Sequence, residues 1–323
     1  MNLKEKLLRK QNGLLFYSFA PPKSKTEENK VRALAEKHIA HFSGLDIDGI
    51  ILYDIQDEST RTNEERIFPF MPTITPEVYT KTHLTGLDVP KIIYKSIANY
   101  TKEMFNDWLI ENGDLEHVVF VGASSQQQIE NTGFTLTDAY QLKRDSFQNI
   151  ILGGVTIPER HAKKGDEHLR LKMKQQQGCT FFISQCVYNL SDTKNLLSDY
   201  YYDSIETGGE MSPIIFTLAP CGSLKTLEFM QWLGIQVPKW LYNDLKNSKD
   251  ILQASIDTSI NIASEILNYS SSKNIPIGFN IESVSIRKEE INAANELLNE
   301  VSKLVATDRS TLRNLINPQK IIQ

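Results

Sequence analysis

Apolar residues recur along the chain in two rhythms. Compact runs read as buried strands: LLFYSF at 14–19, GIILY at 49–53, HVVFV at 117–121, IILGGV at 150–155, CTFFIS at 179–184, PIIFTL at 213–218 and IPIGFNI at 275–281. Thr82–Thr85 reads as a shorter strand, the third in order. Helical spacing covers Glu27–Phe42, Tyr100–Ile110, Glu167–Gln177 and Pro238–Tyr269, and a lead-in helix over Asn2–Gln11 stops at Asn12-Gly13. Strands then start near 14, 49, 82, 117, 150, 179, 213 and 275, mostly about 33 residues apart, the length of one strand, one helix and two short loops. Eight such units predict an α/β fold, a (β/α)8 TIM barrel, as one domain over 1–323 with a short N-terminal helix. The first turn is Ala20-Pro21-Pro22 and no Gly-x-Gly-x-x-Gly or Walker loop occurs, which argues against a Rossmann or P-loop nucleotide site.

A net charge of −5 without a block of lysine or arginine argues against a nucleic-acid partner. No apolar run approaches the roughly 20 residues that span a bilayer. The N-terminus, MNLKEKLLRKQNG, lacks the apolar core of a secretion signal. Cys179, Cys186 and Cys221 are odd in number and match no metal-ligand spacing; two sit in or beside apolar strands, as small buried hydrophobes do. The expectation is a cytoplasmic protein with a small-molecule ligand, no membrane and no nucleic acid, and with homo-oligomerisation left open.

Barrel enzymes carry their chemistry where strands end. Those ends here collect Ser18, Asp54, Asp57, Glu58, Thr85, Ala123, Ser124, His161, Gln185, Tyr188 and Glu282. Asp54, Asp57 and Glu58 form an acidic cluster. It is a solvated loop capping the next helix through Ser59, a general acid whose pKa is raised by mutual repulsion, or a clamp on a cationic group. No histidine stands at a spacing that would turn it into a metal site, and none is expected. Gln185, straight after a buried strand, must find partners or face water; neighbouring backbone or a ligand could satisfy it. His83 is a core histidine or a ligand contact. His161, in the polar loop Pro158-Glu159-Arg160-His161, is better placed to bind an anion or a ring system. Lys174 lies on the following helix, where a solvated face explains it equally well. Tyr200-Tyr201-Tyr202 with Gly208-Gly209 form an aromatic flap or a partly buried helix end.

Five stretches succeed one another in a telling order: Thr82-His83-Leu84-Thr85; GVTIPERH from Gly154 to His161; Leu171-Lys172-Met173-Lys174 with Gly178 and Ile183-Ser184-Gln185; Pro213-Ile214-Ile215 to Pro220; and Val237-Pro238-Lys239-Trp240. Their order and spacing resemble the methylenetetrahydrofolate reductase family over nearly the whole chain. They are similar to its His-Leu-Thr strand, its Gly-x-Tyr-Pro-Glu-x-His loop, its Leu-Lys-x-Lys…Ile-Thr-Gln segment, and the Pro-Ile-x-Pro-Gly-Ile-x-Pro and Val/Ile-Pro-x-Trp/Leu stretches that follow. The resemblance implies a (β/α)8 barrel in which His83 and His161 lie near FAD, Lys174 near its phosphates and Gln185 on the folate pterin. In that family an acid opens the five-membered ring of methylenetetrahydrofolate to an iminium ion, and reduced flavin gives a hydride to the methylene carbon.

The departures from the family pattern matter as much. The family's first strand reads Phe-Glu-Phe-Phe-Pro-Pro, with Glu as the acid, where this chain has Ser18. A hydroxyl does not replace a carboxylic acid at neutral pH, and losing a positioned general acid costs about 10² to 10⁴ in rate. The family's Arg-Gly-Asp beside the flavin is Val121-Gly122-Ala123, its Gly-rich loop after the second strand is Asp54 to Glu58, and its loop Tyr is Ile157. The resemblance with these departures implies a folate-dependent one-carbon enzyme. It would reduce methylenetetrahydrofolate or a related folate, with FAD binding impaired or absent and with NAD(P)H as another hydride source. Catalytic candidates are Ser18, Asp54, Asp57 and Glu58; cofactor candidates are His83, Ala123, His161 and Lys174; folate candidates are Gln185, Tyr188 and Glu282. Alternatives are a flavin-free methyl or one-carbon transferase and a non-catalytic partner protein. Gln185 and His161 should line one shared hollow.

Overall fold

The computed structural model describes residues 1–57, 65–123 and 125–316, with side chains to 308. Eight strands close into a barrel in chain order: β1 (Leu14–Phe19), β2 (Gly49–Leu52), β3 (Lys91–Ser96), β4 (His117–Val121), β5 (Ile151–Thr156), β6 (Cys179–Cys186), β7 (Ile214–Leu218) and β8 (Ile277–Glu282). Helices follow between them: α1 (Leu3–Leu8), α2 (Glu28–Ser43), α3 (Pro76–His83), α4 (Lys102–Glu111), α5 (Gln126–Thr132), α6 (Leu136–Ser146), α7 (Pro158–Lys164), α8 (Glu167–Gln176), α9 (Leu190–Thr207), α10 (Leu224–Trp232), α11 (Lys239–Asn247), α12 (Ile251–Ser271) and α13 (Lys288–Ile316). This is the expected (β/α)8 barrel. Among the described residues no helix is long and apolar enough to cross a membrane.

Three elements differ from expectation. Thr82–Thr85 is not a strand: Thr82 and His83 end α3, which Pro76 opens at its first turn, where its fixed φ suits a helix and its missing N–H costs nothing. The third strand is β3, whose Ile92, Ile93 and Tyr94 are buried. The loop expected around Pro158 is α7, again with proline in its first turn. The single long helix expected over Pro238–Tyr269 is two, α11 and α12, the second starting afresh where the Asp250 side chain caps the Gln253 N–H.

The chain gathers into two compact units. The first comprises Met1–Arg9, Phe16–Thr156 and Arg170–Ile183. Within it β1 through β5 pair in parallel, Ser18 opposite Ile51 and Tyr94 opposite Val119. A strand alternates its side chains, and Tyr17 and Phe19 both stack on α2 rings (His41, Phe42 and His38), so Ser18 turns to the other, inner face. Outside the strands, Glu77 of α3 accepts from Lys95 Nζ of β3 and Trp108 Nε1 of α4, both at 2.9 Å and buried. Lys95 also lies over the rings of Tyr100 and Trp108 at 4.8 and 4.9 Å. Burial opposes the charge on Glu77, but the ammonium beside it and the two donated bonds prevail, so its carboxyl stays below the usual range.

The second unit comprises Lys10–Leu15, Ile157–Leu169 and the chain from Ser184 onward. In it β7 and β8 pair in parallel from Ile214 opposite Ile277 to Leu218 opposite Ile281. Gly278 is required: a Cβ there would stand 2.6 Å from the Leu14 carbonyl oxygen, against backbone that has no flexible end to yield. Cys186, Tyr188, Cys221, Leu227, Met230 and Ile235 form part of a core under α10 and α11.

Removing one member of a buried ion pair leaves the other charge without compensation, at about 3–5 kcal/mol. Glu77→Ala should therefore lower unfolding free energy by about that amount, read from the shift in urea midpoint. A loss under about 1 kcal/mol would mean that the Lys95 charge finds solvent instead.

Candidate functional site

Within the second unit, the residues after β5 form a small polar assembly. Pro158 starts α7 and Gly165, at φ +67°, ends it in the left-handed conformation that glycine adopts without strain. Glu167, fully buried at the start of α8, accepts from the Ile157 N–H at 3.0 Å and from Arg160 Nη1 at 3.1 Å, holding α7 against α8. This short helix carries two buried polar side chains, Glu159 and His161.

Glu159 has one oxygen bonded and one not. Its Oε1 accepts from the Gln236 N–H at a long 3.5 Å, and its Oε2 is buried without a partner among the described residues. Burial disfavours the carboxylate and the Asp192 charge adds to this. The N–H bonds and Lys163 oppose them less strongly, and the pKa is pushed up to about 7. A carboxyl at that value holds and releases a proton near neutral pH, as a general acid or base must.

Gln185, the penultimate residue of β6, reaches the same segment. Its Nε2 donates to the Leu233 carbonyl at 2.7 Å. Leu233 caps α10, so its carbonyl has no partner within the helix, and Gly234 at φ +90° turns the chain away just after it. A carbonyl only accepts, which settles the amide's orientation: the nitrogen faces Leu233 and Oε1 is the other atom. That Oε1 is buried without a partner among the described residues. Residues 233–236 therefore anchor both Gln185 and Glu159, and each keeps one buried oxygen uncommitted. Cys186 links Glu282 to the same neighbourhood, since burial raises its thiol pKa and the charges of Glu282 and Glu159 raise it further.

Other expected site residues take different places. The Tyr188 ring is buried in the core and its hydroxyl donates to the Ala219 carbonyl at 2.8 Å. His161 and Gln185 also take different partners. His161 Nε2 lies 3.1 Å from Asp199 Oδ2 of α9, and its ring meets His168 of α8 edge-on at 5.4 Å. Glu159, not His161, is the α7 residue that shares the 233–236 segment with Gln185.

In the first unit, Ser18 is buried on the inner face of β1 and carries a hydroxyl where the family pattern has an acid. Asp54, just past β2, accepts from the Ser96 N–H at 2.9 Å and from Gln56 Nε2 at 2.8 Å, latching the ends of β2 and β3 together. Burial raises its pKa, against those bonds and Lys95. Asp57 is exposed, and Glu58 lies outside the described residues, as does Ser124. His83 lies on a helix, not on a strand. It ends α3, the helix that leads into the N-terminal end of β3, and opens onto a groove of about 250 Å³ lined by Glu28, Arg32, Glu36 and Thr82. That is the wrong end of the strand for barrel chemistry.

The positions that resemble the family's flavin contacts have the following surroundings in this chain. Ala123 has no carboxylate, Lys174 donates to the Val155 carbonyl, His83 is at the far end of α3, and His161 is engaged with α8 and α9. Sequence reasoning passed over Glu159, His168 and Asp199. An acid in a helix's first turn is ordinary macrodipole chemistry and gives no warning of burial. The two histidines, seven apart, face each other only because Gly165 reverses the chain between them.

The chain matches the family model for methylenetetrahydrofolate reductase over residues 4–277. No curated protein sequence matches it. Among solved structures it is similar to an uncharacterized protein from Clostridium thermocellum that binds two copies of 5-methyl-5,6,7,8-tetrahydrofolic acid. The two are 44% identical with a TM-score of 0.82, over 94% of this chain and 99% of that one. A Schiff base-forming fructose-1,6-bisphosphate aldolase is far more distant, at 11% identity and a TM-score of 0.46 over 95% and 99% of the two chains, and carries no argument. With a family model spanning most of its length and a 44% identical relative covering nearly all of it, the chain belongs to the methylenetetrahydrofolate reductase family.

Proposed function

We propose that this chain binds a reduced folate through Gln185 and Glu159 and acts as a folate-dependent one-carbon enzyme without the family's flavin contacts. The observation that carries this reading is the Gln185 amide. Its nitrogen is committed to Leu233 and its buried oxygen is not, in a family one of whose members binds 5-methyltetrahydrofolic acid. The pterin edge offers ring and amino N–H donors beside a carbonyl. Gln185 Oε1 accepts from such a donor, and a buried acceptor otherwise left unpaired makes that contact selective.

Glu159 takes the part of the acid missing at Ser18. Protonated near neutral pH, it gives its proton to N10 of methylenetetrahydrofolate as the C–N10 bond breaks, leaving an iminium ion between N5 and the one-carbon unit. NAD(P)H, if bound, would supply the hydride that turns that carbon into a methyl group and leave as NAD(P)⁺, and Glu159 regains its proton from solvent. Asp54 suits the acid's role less well because both its oxygens already accept bonds. The methylated folate held by the relative favours one further reading, a transferase that takes the methyl group from this ligand. Transfer consumes no reductant, so folate-dependent loss of NAD(P)H separates the two.

Gln185→Ala should weaken 5-methyltetrahydrofolate binding by roughly 5- to 150-fold, the equivalent of about 1–3 kcal/mol for an unpaired buried partner, with the fold intact. Calorimetric titration reads this directly, and an unchanged Kd removes Gln185 from the folate site. Freshly purified protein should lack the visible absorption of bound flavin; a stoichiometric yellow chromophore would restore the flavin enzyme.

Glu159 also predicts a pH dependence. Its folded pKa of about 7 lies above the ordinary 4.5, so the folded state holds the proton more tightly than the unfolded chain. Its contribution is fully present below about pH 4.5 and is lost as pH rises to about 7, on the order of 3 kcal/mol in all. Urea midpoints at pH 5 and pH 8 should therefore fall further apart in the natural protein than in Glu159→Gln. Equal spacing would show Glu159 to be an ordinary solvated acid.

A further inference from the structure

The helices after β5 and β6 bring together a second group of side chains that the folate reading does not use. His161 stands in the last turn of α7, His168 in the first turn of α8, and Asp199 in the middle of α9. Each offers one ligand atom, and these atoms all lie within 4.8 Å of one another. His161 Nε2 and Asp199 Oδ2 are 3.1 Å apart, and the two imidazoles meet edge to face at 83°. We propose that His161, His168 and Asp199 form a site for one transition-metal dication, Zn²⁺ by its ligand chemistry, tying α7 to α8 and α9.

Two independent features support the site. The first is the distance. Two ligands about 2.0–2.1 Å from a tetrahedral zinc stand about 3.3 Å apart, close to the separation of His161 and Asp199. The second is an unmet hydrogen-bonding need. His161 is 4% exposed, and the Nδ1 atoms of both His161 and His168 are buried with no partner among the described residues. A neutral imidazole carries one N–H and one lone pair, so a ring in this setting has a nitrogen that protein groups leave unserved. At His168 a metal can take the lone pair of the unpartnered nitrogen, while His161 binds through Nε2, which faces Asp199, and keeps its N–H on Nδ1.

The ligand set selects the class of ion. Two imidazoles and one carboxylate suit zinc and its transition-metal neighbours, whereas calcium and magnesium prefer oxygen throughout. One carboxylate leaves the centre with a positive charge, which Asp192, close enough to interact with His161, moderates. Asp199 is exposed on the surface of α9, so it can swing the remaining distance and leave a fourth position to water. The same helix carries Glu159 two residues before His161. A metal here holds in place the backbone that presents the buried acid.

The test uses the full chain without a histidine tag, stripped with chelator and desalted. Zinc is then titrated against a chromophoric chelator, and metal retained after desalting is measured by mass spectrometry. The expected result is about one equivalent of zinc per chain, with a rise in melting temperature because the ion binds only the folded state. His168→Ala and Asp199→Ala, both at positions with some solvent exposure, should weaken binding at least about tenfold and abolish the rise. Co²⁺ in place of zinc should give the intense visible bands of a four-coordinate centre. Retention below about 0.1 equivalent, or equal zinc affinity in both variants, would overturn the proposal. The folate titration is independent of this result, since Gln185 is not a ligand.

Discussion

The Glu159 carboxyl is buried with too few donors. Removing a carboxylate from water is expensive unless hydrogen bonds or a cation replace the lost solvation. Here the N–H bonds from its own backbone and Gln236, with the Lys163 charge, do not suffice, and the group responds by holding its proton. A few local features fix the helix that carries it. Pro158 starts the helix, Glu167 holds the cap residue before it, and Gly165 ends it.

Gln185 obeys the same rule with the opposite polarity. An amide must place both a donor and an acceptor, and Leu233 takes the donor because a helix's last carbonyls have no internal partner. What remains is an acceptor and a proton-holding acid, each half satisfied, on one anchoring segment. This differs in kind from the Lys95–Glu77–Trp108 cluster, where a full cation answers the carboxylate and the pKa moves down. Two buried glutamates in one chain thus titrate in opposite directions. The Glu77 cluster is structural, and the Glu159 site has the properties that chemistry needs.

The barrel was legible because its evidence is periodic: apolar runs at regular intervals survive one misplaced strand. That misplacement had a local cause. Thr82 and Thr85 are β-branched and flank an apolar Leu84, so the segment mimics a strand, while Pro76 six residues earlier marks the helix that contains it. Gln185 was legible because a polar residue closing an apolar run has to be explained. Tyr188 looked alike from the sequence, but a phenol can send its hydroxyl back to a nearby carbonyl and bury its ring, as it does on Ala219. Glu159 was illegible for the reverse reason: burial depends on what lies across from it, and residue 236 is 77 positions away.

The three cysteines share the fate of other small side chains in these cores. All are free and buried; burial pushes Cys179 and Cys221 up to about 12 and raises Cys186 well above the ordinary thiol value. At pH 7 the thiolate fraction of such a group is on the order of 10⁻⁵, which makes it inert toward alkylating dyes. Labelling chemistry therefore sees a chain without cysteine. A fluorophore could be attached through one engineered thiol at exposed Gln231, two residues before Leu233, with all three native thiols left in place.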